Sequence, residues 1–231
     1  MPFFSGKRAE ELGPFSALFA ALVLFMGLTP FVSSDGLGDR LLTWGFIAIL
    51  GAGLGVARKS RSFLGIALVL VAANLAARLL SHLLFDEAAD REVLTTLVGA
   101  AYLWYLVLVL VRTLMQQRDT TLDVVLGGIN VYLLLALAFM LLHLALEQYE
   151  PGSYLRGGLA LSATENLSHG KLSNSLIYFS FTTLTTLGFG DITPARPVAE
   201  MLTSAEAVIG QLYVAIFIGG LVALRINERK R

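Results

Sequence analysis

Cysteine is absent from the sequence, and this absence excludes disulfide bonds and thiolate metal sites. There are three histidines, and no two of them have the spacing of a metal-binding pair. Basic and acidic residues number 17 each, so the zero net charge favours no nucleic-acid partner. A membrane enzyme needs clustered nucleophiles, bases or metal ligands. The sequence therefore predicts a protein that is not an enzyme and has no organic cofactor.

Charge is also scarce: charged residues make up 15% of the 231 residues, whereas apolar residues make up 56%. A soluble domain of this length carries more charge and fewer apolar residues. About 20 apolar residues span a bilayer, and six runs are long enough to be interpreted in this way. They predict an all-α membrane protein with six transmembrane helices. The runs are 15–32, 41–57, 62–85, 93–115, 123–147 and 197–224.

The charged residues that flank these runs separate by sign. Basic loops remain in the cytoplasm, so the pattern predicts a multi-pass protein of the plasma or inner membrane with both termini cytoplasmic. The acidic loops and the polar segment 149–171 then face outward. The basic side holds Lys7, Arg8, Arg58, Lys59, Arg61, Arg112, Arg118, Arg225, Arg229, Lys230 and Arg231.

The stretch Thr-Thr-Leu-Gly-Phe-Gly-Asp at 185–191 lies between two apolar runs and has glycine at alternate positions. Successive carbonyl groups point to one axis only if the backbone alternates between right- and left-handed conformations. The left-handed one is cheap only for glycine, which Gly188 and Gly190 supply. Rings of such carbonyl oxygens can replace the hydration shell of a cation. Thr186 adds a hydroxyl below the carbonyls, and Asp191 adds a carboxylate at the outer mouth.

This stretch resembles the potassium-channel signature T-V-G-Y-G-D, with leucine at the valine position and phenylalanine at the tyrosine position. The resemblance covers residues 123–224 and is most specific at the filter. It implies a potassium channel of the bacterial six-transmembrane type, with K⁺ ions in its selectivity filter. The filter residues that would bind potassium are Thr186, Leu187, Gly188, Phe189 and Gly190.

The order of the six runs resembles that of voltage-gated-like channels. It implies a four-helix domain at 1–118 and a pore domain at 119–231, the latter with an outer helix, turret, pore helix, filter and inner helix. One filter loop per chain implies a homotetramer with fourfold symmetry in the lipid bilayer. A voltage sensor needs several charges on one helix, but residues 93–111 contain none. We therefore expect little or no intrinsic voltage gating.

Residues 173–185 are too few to cross a bilayer and are expected to form a re-entrant pore helix that begins at Ser173 or Asn174. In the family, the carboxyl end of this helix points at the central cavity, where its dipole favours a cation. The Tyr178 hydroxyl is expected to bind Asp191 and hold the outer mouth. The expected filter-supporting residues are Tyr178, Thr182, Thr185, Asp191 and Glu206.

Glu206 is a carboxylate within the last apolar run. An ionisable side chain inside a membrane segment is energetically costly, so Glu206 is a candidate functional residue. The first expectation is a hydrogen bond to the threonine-rich pore helix that braces the filter. The alternatives are a charge that faces the cavity and concentrates cations, and a protonated side chain, since burial disfavours the charged form. His143, in the outer third of the fifth run, is expected to be a packed or interfacial residue.

Gly210 follows Gly190 at a spacing that resembles the hinge glycine of potassium-channel inner helices. The resemblance implies a hinge, and a glycine that permits close packing is the alternative. By the same register Gln211, Val214 and Ile218 would face the cavity. The apolar ring at Val214 and Ile218 could gate by dewetting.

Three further questions stay open at the sequence level. The segment 149–171 is expected to be a solvated turret loop, with an external ligand site as the alternative. A non-selective monovalent cation channel is a second reading, because Phe189 lacks the hydroxyl with which tyrosine ties the filter to its surroundings. A cation transporter subunit is a third reading. It would need an inverted repeat and broken helices in both halves, and the first half shows neither.

Overall fold

The protein is described by a computed structural model over residues 14–29, 45, 47–49, 51–53, 61–84, 88–117, 121–164 and 169–228. Within these ranges the chain is mostly helical, and one small sheet lies between the helices. The helices are α1 (Pro14–Leu28), α2 (Arg61–Leu84), α3 (Ala88–Met115), α4 (Leu122–Tyr149), α5 (Leu161–Thr164), α6 (His169–Leu184) and α7 (Pro197–Glu228). The strands are β1 (Tyr154–Arg156), β2 (Leu159–Ala160) and β3 (Ile192–Pro194).

Two helical segments among the described residues are long and apolar enough to cross a membrane, Glu92–Met115 and Leu122–Tyr149. The apolar segments Phe15–Leu28 and Phe63–Ala77 are shorter. Most of the predicted run 41–57 lies outside the described residues. Two such helices are consistent with a membrane protein, whereas six spans and the orientation of the termini remain predictions.

Helix α4 is the central element, because α1, α3, α6 and α7 all pack against it. It is apolar on all sides and largely buried, as expected of a helix surrounded by others. Its start follows from Thr121, whose side chain accepts a hydrogen bond from the Val124 N–H at 3.3 Å. Asp123, in the first turn of α4, accepts hydrogen bonds from the backbone and hydroxyl of Ser16, at 3.2 Å and 3.1 Å.

Two asparagines hold the two ends of α1. The Asn130 side-chain amide donates to the carbonyl oxygen of Phe15 at 2.7 Å, and Asn130 is completely buried in α4. The Asn174 amide donates to the carbonyl oxygen of Thr29 at 2.9 Å. Asn174 belongs to α6, so α1 connects the first turns of α4 with the helix that precedes the predicted filter.

Helix α2 packs against α3, and α3 packs against α4. The Tyr105 hydroxyl donates to the Phe63 carbonyl at 2.8 Å, which joins α3 to α2. The rings of Trp104 and Phe139 meet edge to face at 5.2 Å and join α3 to α4. Contacts of α1 and α3 with α4 cross the predicted boundary between 118 and 119. The division into two domains stays a prediction.

The segment 149–171, expected to be a turret loop, contains two short strands, so the fold is mostly but not entirely helical. Strand β1 pairs antiparallel with β2 and with β3, in the order β2-β1-β3. Gly157 and Gly158 join β1 to β2, and both have positive φ (59° and 81°), as a tight two-residue hairpin requires. Strands of two or three residues are too short to show alternating hydrophobicity. Asn166-Leu167-Ser168 fits the weak three-residue pattern of a glycosylation acceptor, and it lies outside the described residues.

One carboxylate organises the passage from α4 into this sheet. Glu147 is completely buried near the end of α4. Its Oε1 accepts hydrogen bonds from the N–H groups of Gly152 and Ser162 at 3.1 Å and 3.2 Å, and its Oε2 accepts from the N–H of Tyr154 at 3.0 Å. Hydrogen bonds to an ionised acceptor are about twice as strong as neutral ones. A single side chain thus holds the turn, β1 and the start of α5 together.

Glu147→Gln should destabilise the protein by about 1–3 kcal/mol, because an NH₂ group replaces one acceptor oxygen and faces backbone donors. The measurement is the thermal unfolding temperature of the detergent-solubilised protein. Glu150→Gln is the matched control. Glu150 is 44% exposed in its 3.5 Å ion pair with Arg196, and an exposed pair of this kind contributes less than about 1 kcal/mol. Equal shifts for the two variants would contradict the role of Glu147.

Candidate functional site

The backbone alternation expected at 186–190 is present. Thr186, Gly188 and Gly190 have φ of +58°, +52° and +78°, whereas Leu187 and Phe189 between them have negative φ. This alternation is what successive carbonyl groups need in order to face one axis. The left-handed conformation of Thr186 goes beyond the sequence expectation, because only glycine adopts it at little cost. A non-glycine residue held in this region costs about 1–3 kcal/mol, and such strain concentrates at functional sites.

The carboxyl end of α6 holds this stretch in place. The N–H groups of Leu187 and Gly188 both donate to the Thr182 carbonyl, at 2.8 Å and 3.1 Å, and the Thr186 N–H donates to the Thr183 carbonyl at 2.9 Å. Carbonyls in the last turn of a helix have no partner within the helix and are free to accept such bonds. Thr182 therefore supports the loop through its backbone.

The hydroxyls of the two expected supporting threonines bond elsewhere. The Thr182 hydroxyl donates to the Phe179 carbonyl at 2.9 Å, and the Thr185 hydroxyl donates to the Phe181 carbonyl at 2.7 Å. Both bonds lie within α6 or at its end. These hydroxyls satisfy carbonyls of α6, and neither of these bonds goes to residues 186–190.

Helix α6 begins earlier than expected. It starts at His169, so Ser173 and Asn174 lie inside the helix instead of at its start. Serine and asparagine are preferred at helix starts, but both residues here are interior to the helix. The side chain of Asn174 is used instead in the hydrogen bond to Thr29 described above.

The outer end of the stretch is held by the hydrogen bond expected from the sequence. The Tyr178 hydroxyl donates to Asp191 Oδ1 at 3.0 Å. The Tyr178 ring also stacks on the Phe189 ring, with centroids 6.2 Å apart and planes within 3°. Phe189 lacks a hydroxyl, so it contacts α6 through its ring face. Strand β3 begins directly after Asp191 and continues this end into the sheet.

Glu206 lies behind the stretch, on α7, and is completely buried. Its Oε1 lies 2.5 Å from Ser180 Oγ on α6, so the expected bond to the pore helix is present, but to a serine. Its Oε2 lies 2.8 Å from His143 Nε2 on α4. A carboxylate so enclosed does not face a cavity, and that alternative is therefore wrong.

His143 is more than the packed residue expected from the sequence. It is completely buried, and its Nδ1 lies 2.5 Å from the Tyr154 hydroxyl of β1. Its carboxylate partner lies 63 residues later in the chain, on a different helix. The signal in the sequence is that His143 and Glu206 are polar residues inside two separate apolar runs. We call Tyr154, His143, Glu206 and Ser180 the buried polar cluster.

Gly210 lies where α7 meets the end of α6. A Cβ atom built at Gly210 would collide with the carbonyl oxygen of Leu184, which is backbone and cannot turn away. The structure therefore shows the packing role given as the alternative, and α7 continues as a helix through this position. A hinge at Gly210 stays a prediction.

The expected cavity residues are only partly described. The Gln211 side-chain amide donates to the Thr186 hydroxyl at 2.9 Å, so Gln211 lies directly below the filter stretch. Val214, one turn further along α7, is partly exposed. The side chain of Ile218 lies outside the described residues, and the apolar gate stays a prediction.

The ligands that this site offers a cation are oxygens of carbonyl and hydroxyl groups. No group of three histidine, aspartate or glutamate side chains could hold a metal ion in the part of the chain that the structure describes. Residues 185–190 are exposed. Their oxygens are therefore open to solvent or to neighbouring molecules.

Comparison with known proteins points to the same region. The ion channel family model matches residues 131–225, less than half of the chain. Two pore potassium channel c of Oryza sativa subsp. japonica is 43% identical over 47 residues. That alignment covers 20% of this chain and only 10% of the rice protein. No solved structure matches the chain. Residues 131–225, which run from within α4 to within α7, are thus similar to an ion channel domain, and the matched family is not enzymatic.

Gly210→Ala should lower the thermal unfolding temperature, because the added methyl group overpacks the contact with Leu184 at a cost of about 1–3 kcal/mol. Gly219→Ala, further along α7, is the control, since no atom lies within 4 Å of a Cβ built there. Alanine is the better helix former, so the control should not be destabilised. A Gly210→Ala protein as stable as the control would contradict the packing role.

Proposed function

We propose that the chain is a subunit of a potassium-selective channel, which conducts K⁺ passively through rings of backbone carbonyls. The observation that supports this most directly is the left-handed backbone at Thr186, Gly188 and Gly190. Four copies of this stretch around one axis would replace the hydration shell of K⁺. The proposed ligands are oxygens of Thr186, Leu187, Gly188 and Phe189, with Gly190 at the outer end.

A homotetramer is part of this proposal. One chain has one filter stretch, and a closed ring of carbonyls needs copies related by rotation. The exposed face of α7 supports such an assembly, because large apolar side chains recur along it at helical spacings of three, four or seven residues. The most exposed of the regularly spaced residues are Val198, Met201, Val208, Leu212 and Ile216.

Potassium selectivity is favoured over the non-selective alternative by the way Phe189 is held. A tyrosine at this position would tie the filter to its surroundings through its hydroxyl. Phe189 has no such group, and for this reason a non-selective channel is the alternative. Here the ring of Phe189 stacks on Tyr178, which also binds Asp191. Both contacts hold the outer filter against α6, which supports a rigid and therefore selective ring.

The proposed channel is a multi-pass protein of the cell membrane with both termini in the cytoplasm. It has little or no intrinsic voltage gating, because the segment 93–111 of α3 has no charged residue that could move in the field. The stimulus that opens it is then not voltage acting on α3.

The test is the reversal potential of wild type and Gly188→Ala in bilayers, with K⁺ on one side and Na⁺ on the other. Wild type should reverse near the K⁺ equilibrium potential, and Gly188→Ala should lose this selectivity. No atom lies within 4 Å of a Cβ built at Gly188, so the variant acts through its φ of +52°, at about 1–2 kcal/mol per chain. Gly65→Ala, which also meets no neighbouring atom, is the control and should behave as wild type.

The outcomes separate the alternatives. A clear wild-type current that reverses near zero would support a pore but contradict potassium selectivity. The protein would then be a non-selective cation channel. Silent bilayers call for a K⁺ flux assay in liposomes with barium as the blocker, because a closed gate also gives no current. Absence of barium-sensitive flux under every tested stimulus would contradict the channel proposal.

A further inference from the structure

Ser180 lies beside two oxygen atoms but has only one proton to donate. Its Oγ is 2.6 Å from the carbonyl oxygen of Ala136 and 2.5 Å from Glu206 Oε1. The carbonyl can only accept, so the Ser180 proton belongs to that bond. A proton is then still needed between Ser180 Oγ and Glu206 Oε1, and the remaining place for it is the carboxyl group. In this arrangement Glu206 is a carboxylic acid that donates to Ser180.

The rest of the buried polar cluster follows from this assignment. With Oε1 protonated, Glu206 Oε2 accepts from the Nε2–H of His143 at 2.8 Å. The imidazole is then neutral, and its Nδ1 accepts from the Tyr154 hydroxyl at 2.5 Å. Burial raises the pKa of the Tyr154 phenol, so that donor keeps its proton. Four protons serve four hydrogen bonds, and every member is uncharged.

The competing arrangement is an imidazolium–carboxylate pair with the same number of protons. In it, His143 donates from both nitrogens and Tyr154 turns its proton to the neighbouring Thr203 hydroxyl. The single proton of Ser180 must then face both Glu206 and Ala136, so one of two short oxygen contacts has no proton.

Burial also argues against the charged pair. His143 and Glu206 are both completely enclosed, and the rings of Phe139 and Phe179 lie against the imidazole. Taking both charges out of water costs several kcal/mol per ion. Among the described residues, Glu147 and Tyr132 are further ionisable groups near the cluster. Glu147 binds the Tyr154 N–H and is directed at backbone donors, and the Tyr132 hydroxyl donates to the Leu184 carbonyl.

We propose that Tyr154, His143, Glu206 and Ser180 form one uncharged series of hydrogen bonds, with Glu206 protonated, that positions the inner helix against both supports of the filter. The series joins β1, α4, α7 and α6. Helix α6 holds the inner end of the filter stretch, and β1 pairs with β3, which continues from its outer end. The four residues are positioning residues, because none of them contacts the proposed ion path.

The first test is infrared spectroscopy of the full-length protein in liposomes at neutral pH, as the difference between wild type and Glu206→Gln. A protonated carboxyl group should appear as a carboxylic-acid C=O band that the variant lacks. The difference for Glu147→Gln is the control and should show carboxylate bands only. If the Glu206 difference also shows carboxylate bands alone, the proposal is overturned. This readout does not require conduction, so it is independent of the proposed channel activity.

The second test is rescue by the conservative variant. Glutamine at 206 offers one N–H to Ser180 and one oxygen to His143, so Glu206→Gln should unfold close to the wild-type temperature. Glu206→Ala leaves both partners unpaired and should unfold about 4–8 °C lower. An ion pair predicts that both variants are equally damaging. Failure of Glu206→Gln to fold, or unfolding at the temperature of Glu206→Ala, would overturn the uncharged assignment.

Discussion

A strained backbone at the candidate filter is the constraint on which the other features depend. Thr186 has a left-handed backbone conformation, which is unfavourable for a residue with a side chain. Neighbouring elements must therefore hold the backbone of this stretch in place. The Thr182 carbonyl at the end of α6 accepts two of the N–H groups, and Gln211 on α7 binds the Thr186 hydroxyl. Tyr178 holds the other end through Asp191. Helix α6, helix α7 and the sheet thus all hold residues 186–190 in place. The close contact of α6 with α7 brings the two helical supports together.

Two buried glutamates show how surroundings decide what a carboxyl group does. Glu147 is enclosed by three backbone N–H groups, all of them donors, so an ionised group with free lone pairs suits its position. Glu206 faces a hydroxyl with a competing acceptor and an imidazole that can donate or accept. The first organises the outer sheet, and the second joins that sheet to α6 and α7 through His143. Both are completely buried, but only the surroundings of Glu147 supply a full set of donors.

The amino-terminal helices are connected to the pore region by polar contacts as well as by apolar packing. Helix α1 is held at one end by Asn130 of α4 and at the other by Asn174 of α6. Helix α1 is thus joined both to the central helix α4 and to the helix that precedes the candidate filter. The second contact lies in the amino-terminal half of α6.

The sequence by itself determined the features that depend on neighbouring residues, such as the left-handed backbone at Gly188 and Gly190, whereas the bond from Tyr178 to Asp191 was implied by the resemblance to potassium channels. Tertiary structure alone decided which atoms meet across distant segments. It gave Glu206 a histidine partner 63 residues away, placed α7 against α6 at a glycine, and paired short strands in the turret. Local patterns record backbone preference and periodicity, whereas the partner of a buried polar group depends on how the helices pack.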